Sequence, residues 1–217
     1  MNVLGIDEAG RGPVIGPLVV AGVELRKEDE PFLKDLGVTD SKLLSPKKRE
    51  TLEKEIKKIA KNVRVIVIHA KDIDRDMKKM SLNQIEMNAM IKIINSMKDT
   101  DETIIDLPST SATFIKELAS KITTDTKITA EHKADLNHVV VGAASILAKT
   151  ERDRHIRTLE KKHRVIIGSG YPSDPETKKH MKECIWSHDT LPDYIRKSWQ
   201  TTKDLLAGKN QKKLGEF

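Results

Sequence analysis

The feature that most constrains this chain is a pair of adjacent carboxylates, Asp7 and Glu8, that follows a short apolar segment at residues 3–6. The apolar segment predicts a buried strand, and a Gly-Arg-Gly turn at residues 10–12 comes directly after the acids. Carboxylate oxygens hold hard divalent cations, and a glycine turn lets backbone N–H groups approach an anion closely. The stretch predicts metal and phosphate chemistry. Taken alone, it is equally consistent with a helix cap and an ordinary turn.

Length and composition narrow the class of protein. The chain has 217 residues, of which 37% are apolar and 33% charged, as is typical of a globular protein. We expect it to be cytoplasmic, because no apolar stretch is long enough to cross a membrane and the early first strand leaves no room for a signal peptide. The single cysteine, Cys184, excludes an intramolecular disulfide and a cysteine-based zinc site.

The charge of the chain suits a polyanionic partner. The net charge is +6 and the isoelectric point is near 9.2, although a high content of lysine and glutamate is equally consistent with thermal adaptation. Aromatic residues make up only 3% of the chain. Proteins that bind single strands use several aromatic platforms, so the composition favours contact with the backbone of a duplex.

Hydrophobic periodicity predicts an α/β fold, a mixed sheet flanked by helices with a helical appendage at the C-terminus. The expected strands are at residues 2–7, 17–25, 63–70, 103–106 and 127–130, of which the first two form a hairpin and the third is buried. The expected helices are at residues 46–61, 82–97, 113–121, 137–161, 175–186 and 191–207, and Ser45 and Ser81 are the expected caps of the first two. We place the domain boundary after a glycine-rich turn, which gives an α/β domain at residues 1–168 and a helical region with a basic tail at residues 169–217.

Acidic residues recur at the ends of the predicted strands. Asp106 ends one strand and Asp135 precedes a long helix, in addition to the acids that follow the first strand. Strand ends along one edge of a sheet lie close together, and carboxylates gathered there repel one another unless a divalent cation neutralises them. The alternative is that Asp106 and Asp135 only cap the elements that follow them.

Five blocks of this sequence resemble the motif set of ribonuclease HII, the type 2 ribonuclease H family, and occur in the same order. They lie at residues 7–13, 40–42, 105–110, 133–149 and 170–174. The resemblance spans residues 5 to about 180 and is strongest to archaeal members. It implies a ribonuclease H-like fold, in which residues 1–168 are the catalytic domain and residues 169–217 are a helical substrate-binding region. The related ribonuclease HIII has a Gly-Lys-Gly form of the turn and an added N-terminal domain, so the turn at residues 10–12 disfavours it.

The resemblance also implies an activity and its cofactors. The enzyme would hydrolyse the RNA strand of RNA–DNA hybrids and cleave 5′ of ribonucleotides embedded in duplex DNA, giving 5′-phosphate and 3′-OH ends. Asp7, Glu8, Asp106 and Asp135 match the catalytic carboxylates that bind two divalent ions, Mg²⁺ or Mn²⁺. Such a pair of ions activates water and stabilises the leaving oxygen in an in-line displacement.

The same resemblance supplies candidate substrate-binding residues. The turn matches the loop that recognises the 2′-hydroxyl and the backbone at the ribonucleotide, and a later tyrosine packs against the nucleotide at the RNA–DNA junction. Two lysines occupy positions that contact phosphate. The residues are Gly10, Arg11, Gly12, Ser41, Lys42, Lys149 and Tyr171.

Two other functions remain open from sequence. One is another nuclease of the same superfamily, such as a resolvase or exonuclease, which shares clustered acids but lacks the turn with the later tyrosine. The other is a non-catalytic protein that binds hybrids, which the presence of all four acids disfavours. Cleavage of a duplex with one ribonucleotide, with Mg²⁺ or with EDTA, separates the three.

The C-terminal residues resemble a motif that binds the sliding clamp, in which a glutamine is followed three residues later by an aliphatic residue and then by aromatics. Gln211, Leu214 and Phe217 fit it, although a second aromatic residue is missing. A helical turn would place Leu214 and Phe217 on one face. The alternative is a frayed tail without a partner.

We expect the protein to be a monomer.

Overall fold

The described strands form a five-stranded mixed sheet. The computed structural model describes residues 1–38, 41, 43–107, 112–187 and 190–214, with side chains described as far as residue 209. The strands are β1 (Asn2–Ala9), β2 (Leu18–Arg26), β3 (Asn62–Ile68), β4 (Glu102–Asp106) and β5 (Lys127–Glu131), and their order across the sheet is β3-β2-β1-β4-β5. β1 pairs with β2 in an antiparallel and with β4 in a parallel arrangement, and β4 pairs with β5 in parallel. The predicted hairpin and mixed sheet are therefore confirmed.

Helices flank the sheet and dominate the C-terminal part of the chain. The described helices are α1 (Glu30–Asp35), α2 (Pro46–Ile59), α3 (Ala70–Asp76), α4 (Leu82–Ser96), α5 (Ala112–Lys121), α6 (Ala134–Asn137), α7 (Val139–His163), α8 (Pro175–Ser187) and α9 (Gln200–Leu214), with a 3-10 helix at Lys27–Asp29. Local signals start two of them. Ser45 accepts a hydrogen bond from the Lys48 N–H at the start of α2, and Ser81 and Gln84 cap each other at the start of α4.

Four details of the predicted elements were wrong. The strand predicted to be buried, β3, has half-buried and exposed side chains because it lies at the edge of the sheet. The short helices α1 and α3 were not predicted. The helix predicted from residue 191 begins at residue 200, since residues 191–199 are held as a loop in which Ile195 forms a bridge with Ile15. The long helix begins at residue 139, because His138 adopts an extended conformation and separates it from α6.

Contacts divide the chain into two compact units, neither of which is a continuous segment. The first contains residues 1–9, 19–67 and 86–151, and the second contains residues 10–18, 68–85 and 152–217. In the first unit, β1 and β2 pack against the apolar beginning of α7, where small residues allow close approach. In the second, residues of the loop before β2 pack with the end of α7 and with α8. The domain boundary at residue 168 stays a prediction.

Across the ranges that the structure describes, none of the helices combines the length and apolar character that crossing a bilayer requires.

Gly5 of β1 is required by the packing of α7, which gives a first prediction. A Cβ atom at this position would lie 2.6 Å from the backbone nitrogen of Val141, and backbone cannot move aside as a flexible side chain can. We expect Gly5→Ala to lower the free energy of unfolding by about 2 kcal/mol or more. Urea denaturation measures this, with Gly208→Ala in α9 as the control, because nothing lies within 4 Å of a Cβ there. Equal stability of the two variants would contradict the packing argument.

Candidate active site

Three of the four predicted acids meet at the carboxyl ends of parallel strands. Asp7 lies near the end of β1 and Asp106 ends the neighbouring β4, while Asp135 comes from α6, which follows β5. Their carboxylate oxygens lie within 4.8 Å of one another. Glu8 is not part of this set, so its predicted role as a metal ligand rests on the sequence. The local geometry is fixed by the Ala134 N–H, which donates to Asp106 over 3.3 Å and ties the start of α6 to the end of β4.

Burial and repulsion by neighbouring carboxylates raise the pKa of Asp7, Asp106 and Glu8. Asp7 is almost fully buried, and burial, helped by the negative charge of Asp106, raises its pKa to about 6, although a hydrogen bond from Ser145 acts in the opposite direction. Burial raises the pKa of Asp106 as well, with Asp135 as the next cause. The pKa of Glu8 is raised well above its usual value by burial and then by Asp7. A cation placed among these groups would lower all of these values.

The donor set fits a divalent cation. Asp135 Oδ1 and Glu8 Oε2 are buried, and neither has a hydrogen-bond partner in the described part of the chain. A buried carboxylate oxygen without a donor is costly, and a cation supplies the missing interaction. All the candidate ligands are carboxylate oxygens, which hard ions such as Mg²⁺ and Mn²⁺ prefer. Asp7, Asp106 and Asp135 would hold such an ion.

A chain of hydrogen bonds fixes the side chain of Asp7. Ser145 of α7, which bonds to Asp7, lies 2.8 Å from Ser41, oxygen to oxygen, and both serines are fully buried. The Lys149 ammonium, one helical turn further along α7, donates to Ser145 over 2.9 Å and also to Ser41. Ser41 and Lys149 therefore support the acid cluster. Their predicted contact with substrate stays a prediction, and Lys42 lies outside the described residues.

The predicted recognition residues come together within the second unit. Gly10 has a φ of 90°, which only glycine adopts without strain, and a Cβ atom on it would also meet Arg152 at 2.8 Å. A Cβ atom on Gly12 would lie 3.4 Å from the ring of Tyr171, and both residues are exposed. The Arg11 guanidinium donates to Asn83 of α4. Gly12, at the end of the turn, and Tyr171 thus form one exposed surface.

Sequence reasoning missed several residues of this region. Ser145 and the fully buried Glu86, whose charge raises the pKa of Glu8, lie in the apolar parts of two helices, where nothing in the pattern distinguishes them. Arg196 is also fully buried, although nothing in the sequence around it distinguishes it from an arginine on the surface. Trp199 packs against the apolar cluster of the second unit, and its indole N–H also donates to the carbonyl of Gly12 over 3.3 Å, a contact that the sequence does not predict.

The tail cannot be placed in the same detail. α9 continues to residue 214, so the backbone of Gln211 and Leu214 is helical, as the proposed motif requires. Their side chains and Phe217 lie outside the described residues. The clamp-binding prediction is therefore not tested by the structure.

Comparison with known proteins identifies the family. A family model described as ribonuclease HII matches residues 4–202. A ribonuclease HII from Methanococcus maripaludis strain C5 is 45% identical over 99% of this chain and 91% of its own length. The chain is also similar to the ribonuclease H2 structure from Pyrococcus horikoshii OT3, with a TM-score of 0.88, 35% identity, and coverage of 96% of this chain and 98% of that one.

A second solved structure matches almost as well. It is the complex of PCNA with ribonuclease HII from Archaeoglobus fulgidus, with a TM-score of 0.84, 41% identity, and coverage of 92% of this chain and 96% of that one. Relatives and structures agree over nearly the full length of the chain, so the resemblance read from the motifs is confirmed. The chain belongs to the ribonuclease HII family and is a ribonuclease H, an endonuclease that degrades the RNA of RNA–DNA hybrids.

Proposed function

We propose that this enzyme also cleaves 5′ of single ribonucleotides embedded in duplex DNA, and that it acts with two divalent ions to give 5′-phosphate and 3′-OH ends. The observation that carries the proposal is the cluster of Asp7, Asp106 and Asp135, three carboxylates held within 4.8 Å in a member of this family. The net charge of the whole chain, +6, suits a duplex substrate. Replication and repair of DNA, where such ribonucleotides arise, would be its setting.

The acids hold the ions in this proposal. When bound, the ions would polarise the attacking water and stabilise the leaving 3′-oxygen. Asp7 is the central ligand, and Ser145 fixes the orientation of its carboxylate through a hydrogen bond that Lys149 reinforces. Glu8 adds a fourth carboxylate next to Asp7 in the chain, with an unpartnered oxygen among the described groups available for an ion.

The turn and the tyrosine select the ribonucleotide in this proposal. The 2′-hydroxyl is the local difference between RNA and DNA, and it both donates and accepts hydrogen bonds. The exposed backbone of Gly12 is accessible to it because no side chain covers the position. The adjacent ring of Tyr171 offers a flat apolar face to the sugar of the next nucleotide, which is a deoxyribose at a junction.

A weak tether to a sliding clamp is the second part of the proposal. The relative from Archaeoglobus fulgidus forms a complex with PCNA. Gln211, Leu214 and Phe217 would make the equivalent contact here, and tethering would raise the local concentration of the enzyme on newly replicated DNA.

Removing the charge of Asp7 should abolish cleavage without abolishing binding. We expect Asp7→Asn to lower kcat by at least about 100-fold on a duplex with one ribonucleotide, because a central ligand is lost. Affinity for the duplex should change little, since Lys and Arg contacts supply most of it. Gel assays of cleavage and fluorescence anisotropy measure the two, with the exposed Asp125→Asn as control. Activity within about tenfold of wild type at saturating Mg²⁺ refutes the assignment.

Tyr171 should matter more at a single ribonucleotide than in a long hybrid. We expect Tyr171→Ala to reduce kcat/KM about tenfold on the embedded ribonucleotide and clearly less on a hybrid, where many registers can be cleaved. Tyr171→Phe keeps the ring and should retain most of the activity. Parallel steady-state assays on the two substrates make the comparison. An equal loss on both would mean that Tyr171 only packs.

Truncation after Asn210 tests the tail. We expect the full-length chain to bind the cognate clamp and the truncated chain to bind it at least about tenfold more weakly, because Leu214 and Phe217 would fill an apolar pocket. Calorimetric titration measures both affinities, and equal cleavage of free substrate by the two chains serves as the control. If both chains bind the clamp alike, or neither binds it, the tail has no such role.

A further inference from the structure

Arg196 binds the carbonyl side of the Gly-Arg-Gly turn. It is fully buried, and its guanidinium donates three hydrogen bonds, all to backbone carbonyls. Nη2 donates to Gly10 over 2.6 Å, Nη1 donates to Arg11 over 3.1 Å, and Nε donates to Gly16 over 3.0 Å. The planar fork of the guanidinium therefore spans both ends of the loop that begins with the turn.

Trp199 completes this set of bonds. Its indole N–H donates to the carbonyl of Gly12, the third residue of the turn. Its ring also lies against the guanidinium of Arg196, with 4.6 Å between Cζ and the ring centroid. The carbonyls of three successive residues, 10 to 12, are thus all bound from one side by two side chains of one short segment.

The orientation of the turn follows from these bonds. In a trans peptide the C=O and the N–H of one planar unit point in opposite directions, and no peptide bond in the described chain is cis. The carbonyl of Gly10 shares its unit with the N–H of Arg11, and the carbonyl of Arg11 shares its unit with the N–H of Gly12. Both N–H groups therefore point away from Arg196.

The segment that carries Arg196 is itself fixed from two directions. Its own N–H donates to Val14 over 2.8 Å, and Ile195 forms a bridge with Ile15. On the other side, the carboxylate of Asp74 in α3 accepts the N–H groups of Lys197 and Ser198 over 2.8 and 2.9 Å. The guanidinium is consequently presented by a rigid loop, which is what a positioning role requires.

We propose that Arg196, assisted by Trp199, is a positioning residue for ribonucleotide recognition, which holds the turn so that the N–H groups of Arg11 and Gly12 face the sugar of the substrate. The inference rests on the proposed function of the turn and deepens it. The two side chains do not touch substrate. They act by binding the carbonyls, so the turn is preorganised before the nucleic acid arrives.

Burial of an arginine at this point is costly, which argues for a specific purpose. Burial lowers the pKa of Arg196 to about 9, and the positive charge of Arg152 contributes to the same shift. An apolar side chain would fill the space at a lower cost but would leave three carbonyls unbound. Lysine keeps the charge but cannot reach three acceptors in a plane, so Arg196→Lys isolates the geometry of the fork.

The experiment measures how strongly each variant prefers a duplex that contains a ribonucleotide, and it uses matched control variants. For each variant we measure the KM for a duplex with one ribonucleotide and the inhibition constant of the same duplex made wholly of DNA. The inhibition constant divided by the KM is the preference for ribonucleotide. Arg196→Lys should lower this preference about tenfold, and Trp199→Phe, which removes one N–H donor and keeps a ring, about threefold. Matched controls are Arg75→Lys and Trp186→Phe, at exposed positions, which should keep the preference of wild type.

The affinity for Mn²⁺, measured by calorimetry, separates positioning from a loss of structure. It should stay within about twofold of wild type in both test variants, since the carboxylates belong to the other unit. If Arg196→Lys fails to fold, Trp199→Phe decides. Variants that keep the preference of wild type overturn the inference, and so does a loss of preference that is matched by Trp186→Phe or by lost Mn²⁺ affinity. A wild type without any preference would overturn the proposed function itself, and the inference with it.

Discussion

Repulsion among three carboxylates, two buried and one half-buried, is the constraint on which the site depends. Asp7, Asp106 and Asp135 are held within 4.8 Å of one another because parallel strands and a short helix end at the same edge of the sheet. Folding places them there at a cost, visible in the raised pKa values of Asp7 and Asp106. The burial of apolar residues in the rest of the sheet offsets this cost, since β1 and β2 are almost wholly buried. A cation bound among the carboxylates would relieve their repulsion, and this relief favours the binding of the cation.

The long helix α7 serves the site in two ways. Its apolar first turns pack on the sheet so closely that β1 needs a glycine at position 5. The same face carries Ser145 and Lys149, four residues apart and therefore adjacent on the helix. The packing that stabilises the sheet thus also fixes the hydroxyl that bonds to Asp7. A shift of α7 would disturb both its packing on the sheet and the hydrogen bond to the Asp7 carboxylate. The stability of this unit is therefore coupled to the geometry of the metal ligands.

The sequence predicted what depends on local pattern. Apolar runs that end in an acid located Asp7 and Asp106, and helix caps at Ser45 and Ser81 located α2 and α4. Features that depend on tertiary contacts were not predicted. The edge position of β3 does not alter its apolar pattern, and the loop at residues 191–199 has a helical composition but is held by a bridge to the segment before β2. Arg196 carries no sign in the sequence that it is buried.

A consequence for electrostatics follows from how the turn is supported. Arg196 uses its donors on carbonyls rather than on a carboxylate, so its positive charge is not neutralised by a direct partner of opposite sign in those three bonds. Arg152 adds a second buried guanidinium, 5.1 Å from the centre of the Tyr171 ring. Two cations next to the turn and Tyr171 produce a positive local potential. Because both guanidinium groups are buried, salt and solvent screen this potential less than they screen the charge of lysines on the surface, so it would favour the duplex of the proposed function.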